Sequence, residues 1–159
     1  MRATGSVVVD APVERIVDFV LDPVGYPKAD TKILRIDILG RSNGGIEQRV
    51  RGCMRWRMLS STLRMVVRPQ GTRRVDIDAV PGTISFPARM ALAGFHGEFT
   101  FEPVDGGIRV THVEEQTFRP NLAGKVAERL CAGWLRRHLA DEEMPALKRI
   151  VEAGRTGAF

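Results

Sequence analysis

The sequence predicts an α+β fold: a seven-stranded, curved antiparallel sheet around a long C-terminal helix, with two short helices after the first strand. Three observations carry this expectation. Apolar residues recur at helical spacing in residues 12–22, alternate with period two in six successive segments between residues 32 and 118, and return to helical spacing from Asn121 onward. Strands joined by short turn-forming links make a meander, and a sheet with one apolar face needs a helix to cover it.

The elements follow in order. Residues 4–10, TGSVVVD, read as a strand that runs into PVERIVDFVLD, where Val13, Ile16, Val17, Val20 and Leu21 form one apolar stripe. Pro12 suits a first helical turn, and Asp22 with Pro23 ends the helix. PVGYPKAD crowds its prolines and glycine too closely for more than one short helical turn. Six strand candidates come next: KILRIDILG, GIEQRVRGCMRW, MLSSTLRMVVR, RRVDIDAV, GFHGEFTFEPV and GIRVTHVEEQTF, divided by turns such as SNGG and VDGG. PGTISFPARMALA, ahead of the fifth of these, reads as a loop, a helical turn or a flap. From Asn121, a capping residue, Ala123, Ala127, Leu130, Cys131, Trp134, Leu135 and His138 share a stripe. Past Asp141 the stripe rotates, with Pro145 at the change. A straight helix over residues 121–152 would be about 48 Å long, against a radius of gyration of roughly 15 Å, so a bend near Pro145 is expected.

Composition narrows the function classes. The 159 residues, 43% hydrophobic and 27% charged, suit one globular domain spanning residues 1–159. No apolar run approaches the roughly 20 residues that cross a bilayer, and the N-terminus lacks a signal-peptide core, so the cytoplasm is the expected location. Cys53 and Cys131 fit no metal-ligand spacing and read as two buried thiols; no metal or cofactor is expected. The net charge of +5 rests on 20 arginines and 4 lysines. Arg49, Arg51, Arg55, Arg57, Arg64, Arg68, Arg73 and Arg74 crowd a span without an acidic residue between Glu47 and Asp76. Arg49, Arg51 and Arg55 share strand parity and line one face, read first as a solvated outer surface and alternatively as a contact for an anionic membrane or acidic protein. Aromatic platforms are missing from that parity, which disfavours nucleic acid.

Parity then places a polar site. In GFHGEFTFE, Phe95, Gly97, Phe99 and Phe101 face one way and His96, Glu98, Thr100 and Glu102 the other, which fixes the inside of the sheet. In the last strand the same rule turns Ile108 and Val110 inward and carries His112, Glu114 and Gln116 with them. Burying such a group unpaired costs roughly 2 to 7 kcal/mol, so these side chains need partners, water or a ligand. Opposite them the helix offers His138 and the small Ala123 and Ala127, so a cavity is expected. At about 300 Å³, an empty one would cost roughly 7 kcal/mol, so it should hold water or a ligand.

VVVDAPVERIVDFVLD, GEFTFEPVDGGIRVTHVEE and MPALKRIVE, in this order over residues 4–152, resemble the SRPBCC or START-like superfamily, which includes polyketide cyclases and lipid-transfer domains. The resemblance implies a helix-grip fold with a pocket between sheet and terminal helix for lipids, sterols or polyketides. Where many relatives carry Trp two residues after a Tyr-Pro pair, this chain has Ala29 after Tyr26, Pro27 and Lys28. The expected role is binding or transport of a small hydrophobic ligand, with Val50, Met54, Phe99, Phe101, Leu130 and Trp134 as walls and His112, Glu114 and Gln116 as orienting groups. A polyketide cyclase or dehydratase using His112 and Glu114 as acid and base is the second reading. An adaptor docking through the arginine face is the third. Monomer and homodimer both stay open.

Overall fold

A computed structural model describes residues 1–54 and 60–154. Strands β1 (Arg2–Val9), β2 (Ile33–Ser42), β3 (Gly45–Cys53), β4 (Ser60–Gln70), β5 (Arg74–Ala79), β6 (Leu92–Val104) and β7 (Gly107–Phe118) form one antiparallel sheet in the order β1-β7-β6-β5-β4-β3-β2. This is the expected meander, closed at one edge by the N-terminal strand beside the last one. Helix α1 (Val13–Leu21) and a helical turn at Tyr26–Lys28 link β1 to β2, and a second short turn, Ala88–Met90, precedes β6. The expected strand ends with Arg55, Trp56, Arg57 and Met58 lie outside the described residues.

The parity argument holds in both strands. Phe99, Phe101 and Val110 are buried, and His112, Glu114 and Gln116 are buried beside them. Antiparallel register pairs Phe99 with His112 and Gly97 with Glu114. The main core joins the β1, β6 and β7 end of the sheet to Ile16, Val17 and Val20 of α1 and to Met144, Leu147 and Val151 near the C-terminus. Burial here follows the helical stripes read from the sequence.

Residues 122–153 are helical throughout but not uniform: α2 (Leu122–Arg137) passes through a π-helical turn, His138–Glu143, into α3 (Met144–Ala153). Asn121 caps α2, its side-chain oxygen accepting from the Gly124 N–H at 2.7 Å. The irregularity sits just before Pro145, which has no N–H to bond backward, and the wider π turn absorbs that break. In a regular α-helix, His138 and Glu143 would point well away from each other. The π turn instead brings both inward, together with Leu139.

One expectation about α2 holds only in part. Its buried positions are Gly124, Cys131 and Leu135, whereas Ala123 is exposed, Ala127 and Trp134 are half-buried and Leu130 is 41% exposed. Cys131, Leu135 and His138 of the predicted stripe are buried as expected, while its first turn faces outward. A Cβ on Gly124 would lie 2.0 Å from the Arg119 carbonyl oxygen, and one on Gly5 of β1 would lie 2.7 Å from that of Leu139. The tight turn into α2 and the seat of the π turn on β1 therefore fall where the chain has no side chain.

Candidate functional site

A cavity of about 150 Å³ lies on the concave face of the sheet. Its walls are Ile33 and Ile36 of β2, Ile46 and Val50 of β3, Leu63, Met65 and Val67 of β4, Ile77 of β5 and Phe95 of β6; these residues keep one parity within each strand except in β2, where a register shift between Ile33 and Arg35 lets Ile33 and Ile36 both line the cavity. Ile84 and Ala88, from the segment ahead of β6, line another side, and Tyr26, Asp30 and Lys32 close one end. His112, Glu114 and Gln116 line that polar end from β7.

The expected site residues divide. Val50, Met54, His112, Glu114 and Gln116 line the cavity. Phe99 and Phe101 are core residues behind the wall, Leu130 is largely on the surface, and Trp134 lines a second hollow of about 140 Å³ with Cys53, His138 and Glu142. Among the described residues, no side chain of α2 or α3 lines the main cavity. The C-terminal helix contributes through Glu143 instead.

Glu143 organises a buried polar cluster. Its Oε1 accepts from the Tyr26 hydroxyl at 2.7 Å and from His112 Nδ1 at 2.6 Å, and its Oε2 accepts from Lys32 Nζ at 3.0 Å. The Lys32 ammonium also lies 3.0 Å from Asp30 Oδ1 and 3.0 Å from Glu114 Oε1. His138 Nε2 meets Asp30 Oδ1 at 3.1 Å, and its Nδ1 meets the exposed carboxylate of Glu142. The His112 ring stacks on Phe99 with centroids 3.9 Å apart.

These contacts set the charges. Burial alone would raise the Glu143 carboxyl, but Lys32 and His112, with hydrogen bonds from His112 and Tyr26, hold it far below the usual carboxylate range. An ionised Glu143 only accepts, so His112 Nδ1 carries its hydrogen and Nε2 is left to face the cavity. Burial would lower the His112 imidazolium, yet Glu143 and then Glu114 outweigh it and raise its pKa. For Lys32 the same contest between burial and the three carboxylates leaves the ammonium well above a lysine's ordinary value. Glu114 goes the other way: burial raises it, and Lys32 and His112 offset that only in part. Burial, followed by Glu143, also pushes the Tyr26 phenol well up, so it acts as a donor.

Among the described residues, three buried polar atoms have no partner: His112 Nε2, Glu114 Oε2 and Gln116 Oε1. They sit on alternate residues of one strand, on the same face, at the cavity's polar end. His112 Nε2 and Glu114 Oε1 are 3.9 Å apart, too far for a hydrogen bond. Of the three triads among the described residues whose ligand atoms lie close enough for a metal, Asp76 with His96 and Glu98 is away from the cavity, and two belong to this cluster: Asp30 with His138 and Glu143, and His112 with Glu114 and Glu143. A metal ion there would have to displace the Lys32 ammonium, which already meets Asp30, Glu114 and Glu143.

Sequence reasoning passed over Tyr26, Asp30, Lys32 and Glu143. For Glu143 a signal was present, since Glu143, Leu147 and Ile150 follow i, i+4, i+7 and set a carboxylate on the apolar stripe of the last helix. Tyr26, Asp30 and Lys32 lie in a segment with no periodicity to orient them.

The arginine face is an outer surface. Arg49 and Arg51 of β3 and Arg64 and Arg68 of β4 are exposed; Arg64 pairs with Glu47, and Arg68 with Asp78 at 2.6 Å. Among the described residues no helix is long and apolar enough to cross a membrane.

Comparison with known proteins places the chain. Residues 1–152 match the family model described as polyketide cyclase / dehydrase and lipid transport. A START superfamily protein from Mycobacterium smegmatis shares the fold at TM-score 0.71 and 19% identity, covering 96% of this chain and 97% of that one. The Zhui aromatase/cyclase from Streptomyces sp. R1128 does so at TM-score 0.73 and 18% identity, over 99% and 96%. TTHA0849 from Thermus thermophilus gives TM-score 0.73 at 13% identity, over 97% and 99%. At these identities the likeness is one of fold, the helix grip. The comparison with curated proteins finds no match.

Proposed function

The chain belongs to the family of polyketide cyclases/dehydrases and lipid-transport proteins, and on that basis we propose that it binds a small, mainly hydrophobic molecule carrying oxygen functions at one end. One observation carries this reading: the three unpartnered polar atoms of His112, Glu114 and Gln116 sit at one end of a mainly apolar cavity. Burying them without partners costs several kcal/mol; a ligand hydroxyl can donate to the Glu114 or Gln116 oxygen, and a hydroxyl or carbonyl oxygen can accept from His112 Nε2. Val50, Met65 and Ile77 then contact the hydrocarbon part, the usual division of labour in a small-molecule pocket.

A second reading has its own support in the His112–Glu143 hydrogen bond, which fixes the imidazole and leaves Nε2 toward the cavity. In a dehydration, Glu114 would take a proton from the carbon beside a carbonyl, and the His112 imidazolium would protonate the departing hydroxyl. One C–H and one C–O bond break, one C=C forms and water leaves.

One experiment separates the two. Organic extraction of the purified protein followed by mass spectrometry should release an apolar, oxygen-bearing molecule, and Val50→Trp, which fills the cavity, should abolish its recovery. A clean extract from the parent protein counts against binding. Conversion of the recovered molecule by the parent, but not by His112→Asn or Glu114→Gln, selects the second reading; no conversion by any of them leaves binding alone.

A further inference from the structure

Helix α2 is apolar on two opposite faces. Gly124, Cys131 and Leu135 face the protein, while Leu122 and Val126, one turn apart on the other side, are 79% and 47% exposed. Phe86 at 66% and Met90 at 53% stand out in the segment ahead of β6. That segment is tied to the start of α2: Arg119 Nε donates to the Arg89 carbonyl at 2.7 Å, the Arg119 N–H to that of Ala91 at 2.7 Å, and Asn121 Nδ2 to that of Met90 at 3.1 Å. The two pieces form one surface. The same segment turns Ile84 and Ala88 into the cavity, so this surface borders the cavity wall.

The charge around it has one sign. Arg89, Arg119, Lys125 and Arg129 are all exposed, and Lys125 and Arg129 stand three residues after Leu122 and Val126, beside them on the helix. Residues 80–91 contain no acid, and residues 119–130 contain only Glu128, which faces the N-terminal ammonium at 3.6 Å. Large apolar side chains flanked by arginine and lysine make the pattern of a surface that lies in the headgroup region of an anionic membrane.

We propose that residues 84–91 and the first half of α2 form a docking surface for an anionic lipid bilayer. The apolar side chains enter the interface while Arg89, Arg119, Lys125 and Arg129 meet lipid phosphates, and a cavity ligand passes to or from the bilayer beside them. This is a different face from the arginine-lined sheet. It goes beyond the ligand-binding reading, and its test needs no ligand.

Sedimentation with vesicles of phosphatidylcholine alone and of phosphatidylcholine doped with phosphatidylglycerol reads the docking directly. Partitioning should be about tenfold stronger into the doped vesicles and should weaken at high salt. Leu122→Ser with Val126→Ser should lower it about tenfold, and Lys125→Gln with Arg129→Gln about fivefold, both at unchanged melting temperature, because these side chains carry no core packing. Arg49→Gln with Arg51→Gln should leave it unchanged. Equal partitioning into both vesicles, no partitioning at all, or loss only with the Arg49 and Arg51 variants overturns the proposal. So does a patch variant that merely converts a dimer into a monomer, which would assign the surface to a second copy of the chain. Organic extraction, run separately, reports on the ligand reading whatever the vesicles show.

Discussion

The two faces of the sheet use the same kinds of side chain for opposite ends. On the convex face Arg35 pairs with Asp37 at 2.7 Å, Arg68 with Asp78 at 2.6 Å and Arg109 with Glu102 at 3.2 Å, all solvent-exposed. On the concave face one ammonium, Lys32, meets Asp30, Glu114 and Glu143 at 3.0 Å each with almost no access to water. Outside, water solvates either partner nearly as well as the pair does, so the pairing contributes little. Inside, each charge has lost its hydration and depends on its neighbours, and removing one strands the rest. Charge placement at the cavity is thus a commitment of the fold, whereas on the arginine face the fold depends on it little.

This contrast is tested most severely at Lys32. Lys32→Met should lose about 3 to 5 kcal/mol of stability in urea denaturation, since three carboxylates remain buried around a vanished cation. Adding Glu114→Gln should recover part of that loss by removing one of them. A loss no larger than that of a surface variant would mean that water reaches the cluster freely.

Glu114→Gln alone is a smaller and pH-dependent change. The Glu114 pKa is raised in the folded protein, chiefly by burial. Its contribution is therefore fully present below the unfolded value of about 4.3 and is lost as pH rises through the folded value. The variant lacks that loss, so its stability relative to the parent should improve on going from about pH 4 to pH 7 in urea denaturation. Glu143 has the opposite sign: held low by Lys32 and His112 against burial, it contributes above about pH 4 and loses that contribution only in stronger acid. A relative stability of Glu114→Gln that falls with rising pH would reverse the assignment of Glu114.

At the other extreme, Arg35→Gln should leave the denaturation midpoint unchanged within measurement, because the Arg35–Asp37 pair is exposed at both ends. A clear loss there would show that the convex face is not a solvated surface.

Legibility in the sequence followed periodicity. The strands alternate cleanly, so Phe99 and Phe101 located the inside and carried His112, Glu114 and Gln116 with them, three residues whose burial no composition argument would suggest. For α2 the stripe held at Cys131, Leu135 and His138 but not at Ala123 or Leu130, which are exposed. The close approaches at Gly5 and Gly124 were not legible, because an absent side chain leaves no hydrophobic signature. Leu130 and Trp134 lie outside the main cavity, and Leu122 and Val126 are exposed.

The order of elements, the inward face of each strand and the polar end of the cavity were all written in the residue order, since each depends on side-chain spacing along a single element. The meeting of Tyr26, Lys32 and Glu143 was not, and Lys32 and Glu143 stand 111 positions apart in the chain. Buried charges satisfy one another only through contacts between elements, so packing fixes their partners. The π turn from His138 to Glu143 then settles which helix residues reach them.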